Sequence, residues 1–147
     1  MSGNKQLSDY TDTKIAAKML TSSGAVAGTM IDATAFRRAH FVFTFGTPLA
    51  GASILSGAGI WNASTSGATF ALQTDAQFAS SFTTAQGSNA VAIIDTVVDA
   101  AKPWLLVSGL TAANSNFPCA VIVQLYNADA STFGTNYGAS AARIVTV

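Results

Sequence analysis

Glutamate is missing from this sequence. All seven acidic residues are aspartates, at positions 9, 12, 32, 75, 95, 99 and 129. They balance seven Lys and Arg, so the formal net charge is zero, and charged residues make up 10% of the 147. An ordinary soluble domain carries about 25%. Zero net charge gives no electrostatic footprint for nucleic acid. Glu, Lys and Leu runs, the strong helix formers, are lacking, which argues against a helical protein. A single cysteine, Cys119, excludes an intrachain disulfide. With one histidine, His40, one cysteine and scattered aspartates, a zinc site lacks its ligands, and no EF-hand pattern surrounds Asp95 and Asp99. No apolar run reaches the roughly 18 residues of a membrane span. The first residues, Met1 to Gln6, are polar and do not read as a signal peptide. These absences fit a chain made and kept in a reducing cytoplasm, without cofactor, metal, membrane or nucleic acid.

What is present is apolar and small. Half the residues are hydrophobic, and a chain of this length has room for one domain with a real core. The charges cluster at the front: Lys5, Asp9, Asp12, Lys14, Lys18, Asp32, Arg37 and Arg38 precede a long, nearly uncharged remainder. The polar surface must then be built from Ser, Thr, Asn, Gln and backbone. Such a surface is poorly protected against association, and charge depletion is what the cores of protein interfaces show. Neighbouring subunits covering much of the surface would account for it.

The pattern along the chain is β. Phe41, Phe43 and Phe45 alternate with Val42 and Thr44, three aromatics on one face at period two. Gly46-Thr47-Pro48 ends that strand. Residues 51–64 read as a bulged strand or two short ones around Gly57 and Gly59. Residues 68–73, 91–98, 104–110, 120–126 and 143–147 read as further strands, the last able to pair with its own sheet or a neighbour's edge. A helix over 89–101 is the rival for the 91–98 stretch. Residues 74–88 read as a short helix or ordered loop and 111–118 as a loop. Lys14 to Leu20 is either an amphipathic helical turn or a first strand. Seven or eight short strands with turn signals between them predict an all-β fold, an antiparallel β-sandwich or jelly-roll-like single domain. We place an extended N-terminal arm at 1–20, the sandwich at 21–130, and a C-terminal tail with a short terminal strand at 131–147.

Each candidate for chemistry has a plainer reading. His40 heads the aromatic strand, and no nucleophile motif such as Gly-x-Ser-x-Gly accompanies it. A histidine at a strand end suffices. Asp95 and Asp99 read as a solvated strand-end pair. No two carboxylates are marked by spacing as a glycosidase pair, and the glycines of 51–59 do not form a phosphate loop. Arg37 and Arg38 are adjacent, so on a strand they point to opposite faces and suit interface or rim ion pairs. Trp61 and Trp104 suit core or interface anchors, or stacking on sugars. Cys119 leads a buried-looking strand as a packed thiol.

The layout resembles that of small virion proteins encoded near the capsid gene of tailed phages. The likeness rests on Ile31-Asp32-Ala33-Thr34 leading into Phe41-Val42-Phe43-Thr44-Phe45-Gly46, then a Gly-Ala-Ser stretch and a Trp-containing strand. Late strands like Pro103 to Thr111 and Ala120 to Gln124 complete it. It spans roughly residues 25 to 127, and the Gly/Ala/Ser tail departs from it. The resemblance implies a non-enzymatic head decoration, cement or minor capsid protein on the phage head surface. Its partners would be the major capsid protein and further copies of itself, as a trimer or another homo-oligomer on a local symmetry axis. Lys5, Tyr10, Lys14 and Lys18 are then the expected capsid contact, and Arg37, Arg38, Trp61 and Trp104 the expected contact between copies. The alternative is a receptor- or glycan-binding head-fibre or tail-tip module with Trp61, Trp104, Tyr126 and Tyr137 as stacking residues. A small hydrolase using His40 is the third reading.

Overall fold

The alternation of Phe41, Phe43 and Phe45 against Val42 and Thr44 builds one strand with a dry face and a wetter one. The three rings are 0%, 0% and 4% exposed, Thr44 is exposed and Val42 half-buried. In a computed structural model, residues 11–19, 24–25, 28–45, 53–54, 59–77, 82–83, 91–108, 111–113, 119–126 and 142–146 are described. Among them are thirteen strands and no helix. They are β1 (Thr11–Met19), β2 (Gly24–Ala25), β3 (Ile31–Asp32), β4 (Arg38–Phe45), β5 (Ser53–Ile54), β6 (Gly59–Ala63) and β7 (Ala71–Gln77). After them come β8 (Phe82–Thr83), β9 (Val91–Val97), β10 (Trp104–Ser108), β11 (Thr111–Ala113), β12 (Cys119–Tyr126) and β13 (Ala142–Thr146).

One sheet has five strands in the order β1-β12-β4-β9-β13. The other strands form two four-stranded sheets, β3-β10-β6-β7 and β2-β11-β5-β8. These two share one order, and each strand of one is the chain neighbour of its counterpart in the other. Taken together they are four interrupted strands. Part of the pairing is nested, first with last: β1 with β12, β2 and β3 with β11 and β10, β4 with β9, and β5 and β6 with β8 and β7. These nested pairs are joined into sheets by β12 with β4, β10 with β6 and β11 with β5, and β13 is added beside β9. A long antiparallel hairpin folded across itself gives this order, and it is the jelly-roll arrangement.

The core lies between the two layers. Val121, Val123 and Leu125 of β12 sit opposite Phe43, Phe41 and Ala39 of β4, which sit opposite Ala92, Ile94 and Thr96 of β9. From the other layer come Ile31, Ile60, Ala76, Leu105 and Val107, all at 2% exposure or less. β1 approaches β10, and β7 approaches β9 and β13, so the layers meet face to face. Each large side chain removed from water here contributes about 1.5–3 kcal/mol.

Some expectations hold and others are adjusted. The strand expected over 91–98 is present as β9, Val91–Val97, and the rival helix over 89–101 is not. The β-branched residues of β9 pair with β4 on one side and β13 on the other, which the local pattern does not reveal. The strand expected at 68–73 runs over Ala71–Gln77, and part of 111–118 is strand β11. The first-strand reading of Lys14 to Leu20 holds as part of β1, which lies within 1–20 and pairs with β12 along Thr11 to Met19. A bulge at Ala16 shifts its register between Ile15 and Ala17, and the Ala16 carbonyl accepts a 2.7 Å hydrogen bond from the Thr29 N–H. The terminal strand β13 pairs with β9 in parallel, the one departure from antiparallel order among the described residues. The two-short-strand reading of 51–64 holds as β5 and β6, with an irregularity between Gly59 and Trp61 against β7.

Candidate functional site

Pairing in the five-stranded sheet sends alternate residues away from the core, and this outward face carries the unusual side chains. At its centre is a buried polar group. The register sets His40 directly opposite Asp95 on one side and Gln124 on the other. Arg38 is directly opposite Tyr126. The Tyr126 hydroxyl donates a 2.8 Å hydrogen bond to Asp95 Oδ1, and Arg38 Nε donates to Tyr126 Oη at 3.1 Å. The Arg38 guanidinium reaches Asp95 Oδ1 at 3.3 Å. Asp95 is 2% exposed, His40 3% and Tyr126 6%.

This environment sets the protonation states. Burial raises the Tyr126 hydroxyl to about 12, and the hydrogen bond it donates to Asp95 acts in the same direction. Burial lowers His40; the Asp95 charge opposes this and the Arg38 charge assists it, so the imidazole is neutral at pH 7. Desolvation works to lower Arg38, but the Tyr126 contact and the Asp95 charge outweigh it and raise it. Asp95 Oδ2 is buried with no hydrogen-bond partner among the described residues. The earlier reading of Asp95 and Asp99 as a solvated pair is thus overturned for Asp95. Asp99 is exposed, and its carboxylate accepts from the Ala101 N–H at 2.8 Å in a turn. A carboxylate, a phenol and a neutral imidazole on adjacent strands are acid–base groups by type. Here they are closed off from water, and their contacts brace β4, β9 and β12.

Beside this group runs an aliphatic row. Ile15 of β1, Ile122 of β12, Val42 of β4, Ile93 of β9 and Ile144 of β13 are directly opposite one another in sequence across all five strands. Ile93 is fully buried, Val42 half-buried, Ile122 41% exposed and Ile15 66% exposed. The row is therefore open on the β1 side. The next row holds Lys18, Ala120, Thr44, Val91 and Ala142, with one charge among its five residues.

The outer face of the β3-β10-β6-β7 sheet carries the tryptophans. Trp104 sits directly opposite Asp32 and Ala63; Trp61 sits opposite Leu106 and Leu72. Both indoles are half-buried, and the register makes them diagonal neighbours, within reach of aromatic side chains.

The expected contact residues are thus dispersed. Lys5, Tyr10 and Tyr137 lie outside the described residues. Lys14 pairs with Asp12 at 3.0 Å and donates to the Asp32 carbonyl at 3.5 Å. Lys18 lies beyond the bulge, opposite Ala120. Arg37 is exposed just before β4, whereas Arg38, expected at an interface, is largely covered and pairs with Asp95 on the outward face of its own sheet. Sequence reasoning missed both the Arg38–Asp95–Tyr126 group and the aliphatic row. A signal for the row was present: β12 is apolar at Ala120 and Ile122, out of phase with its core residues Val121 and Val123. Cys119 is buried, and burial pushes its thiol up to about 12, so it is a packed thiol and a poor nucleophile.

Comparison with known protein families, curated proteins and solved structures finds no match.

Proposed function

We propose that the chain is a virion structural protein, a decoration or cement protein that binds the head shell of a tailed phage. The observation that carries this reading is the outward face of the five-stranded sheet. It presents Ile15 and Ile122 to solvent, in a chain with no glutamate and 10% charged residues. Such a face is costly to leave wet and suits a neighbour of similar polarity. Jelly rolls serve in viral capsid domains, an analogy at the level of fold that supports the reading without assigning it. The mechanism is mechanical. Each copy bridges capsid subunits, and a protein that binds the assembled shell and not its dissociated subunits stabilises the shell by linkage. Copies around a local symmetry axis would share the low-charge surface.

The test is copy number, by quantitative mass spectrometry of purified virions against the major capsid protein. A ratio near one, or a simple fraction set by the lattice, is expected. A few copies per particle would move the protein to the vertex, connector or tail. Absence from the particle would overturn the reading.

A further inference from the structure

We infer that the outer face of the β10–β6 pair is a saccharide-binding platform, with Trp104 and Trp61 as stacking surfaces and Asp32, Thr34 and Lys14 as its polar rim. This face belongs to the sheet opposite the aliphatic row, so the inference stands independently of the shell-binding reading.

Three observations carry it. The first is placement. Trp104 is opposite Ala63, two residues from Trp61 on the same strand, so the two indoles share one face as a diagonal pair. Ala63 between them is 2% exposed, while Leu106 and Leu72 flank Trp61 and are half-buried, leaving a broad apolar floor. The second is the rim. Asp32 is in direct register with Trp104 and exposed. Its Oδ1 accepts from the Thr34 N–H at 3.0 Å and from the Thr34 hydroxyl. Those bonds hold the carboxyl below its ordinary value, with Lys14 acting the same way. Lys14 reaches the same residue through its carbonyl. The third is that Trp61 Nε1 is shut off from solvent while the indole as a whole is half-buried, so what the ring leaves exposed is its carbon surface and not its N–H edge.

The chemistry selects the ligand class. Two π faces beside an acceptor and a cationic donor suit a molecule with a C–H face and hydroxyls at its edge. A pyranose with equatorial hydroxyls has that shape. Lys14 is already paired with Asp12 at 3.0 Å and Asp32 is bonded to Thr34, so the rim presents engaged charges that can still exchange hydrogen bonds with ligand hydroxyls; oligolysine tests whether a cation is taken instead.

Trp61 and Trp104 are both tryptophans of the chain, so intrinsic emission reports this face alone. The full-length protein is titrated with cellohexaose and with chitohexaose, and with oligolysine as the cationic comparison. A saturable change in emission with at least one sugar is expected. Trp104→Ala should weaken binding about tenfold, the factor equivalent to ~1.4 kcal/mol, within the range of one lost stacking face. Asp32→Ala, at an exposed site, should weaken it with the fold intact by circular dichroism; this keeps the test valid if Trp104→Ala misfolds. No saturable change with either sugar, a change that survives both substitutions, or a response to oligolysine alone would each overturn the inference.

Discussion

Removing the Arg38 guanidinium would take away the cation that the buried Asp95 carboxyl faces, leaving it the Tyr126 hydroxyl bond. Breaking one side of such a pair costs about 3–5 kcal/mol. Arg38→Met should therefore lower the urea midpoint far more than Arg37→Met, whose side chain is exposed. In a double-mutant cycle, Arg38→Met with Asp95→Asn should recover much of the loss. The same pocket predicts acid sensitivity. His40 has a lower pKa folded than its ordinary 6.5, so protonation favours the unfolded chain. Its contribution is full above about pH 6.5 and is lost as pH falls through the folded value. Equilibrium unfolding from pH 7.5 to 5 should show this slope, and His40→Gln should flatten it. Cys119 and Tyr126 act at the other end. Each is raised to about 12, from 9.0 and 10.0. Their contributions are complete below about pH 9 and are lost as pH rises toward 12. None of this was legible in the sequence. Asp95 sits four residues from Asp99 and looked like its partner; its real partners are 57 and 31 residues away.

At the scale of elements, two glycines mark where strands crowd. A Cβ on Gly28 would come within 2.3 Å of the Val107 carbonyl oxygen, and one on Gly59 within 2.6 Å of the Ala76 carbonyl oxygen. Both obstacles are backbone, so neither can swing aside. Gly28→Ala and Gly59→Ala should each cost about 1–3 kcal/mol, the range of overpacked sites, whereas Gly67→Ala, with open space around it, should cost far less. Thermal melting of the three variants compares them directly. Strand β1 shows why an edge is easy to misread. Its first residues, with Asp12, read as part of an arm, and Lys14 to Leu20 read equally as a helical turn or a first strand. Charges, lysines and a bulge are also how an edge strand avoids pairing with another chain, and β1 has all three. Its true state depends on β12, more than a hundred residues later. The aromatic strand β4 was legible because its period is local and its three phenylalanines share one face.

Over the whole molecule, the first strand closes on the twelfth, and inside that pair β3 closes on β10, β4 on β9 and β6 on β7. Such non-local pairing is slow, so refolding on a millisecond-to-second scale is expected by stopped-flow fluorescence. Local pattern could locate most of the longer strands and predict two layers, but it undercounted the strands, seven or eight against thirteen among the described residues, and it could not say which strand meets which. That choice also decides what faces outward. Ile15 and Ile122 belong to the two ends of the sequence, and only the β1–β12 pairing makes them neighbours. Because both are exposed, Ile15→Lys with Ile122→Lys should leave the melting temperature of the isolated protein nearly unchanged, as surface substitutions do. Added charge on the same face should nevertheless weaken shell binding. Loss of two aliphatic contacts at ~1 kcal/mol each corresponds to roughly a thirtyfold drop in affinity. Co-sedimentation with undecorated shells measures it. Light scattering of the variant separates loss of shell contact from loss of self-association. If the double variant binds shells as the parent does, the contact lies on another face of the sandwich. The edge of β1 would be a poor substitute, guarded as it is, so the search would pass to the opposite sheet, where the two tryptophans lie.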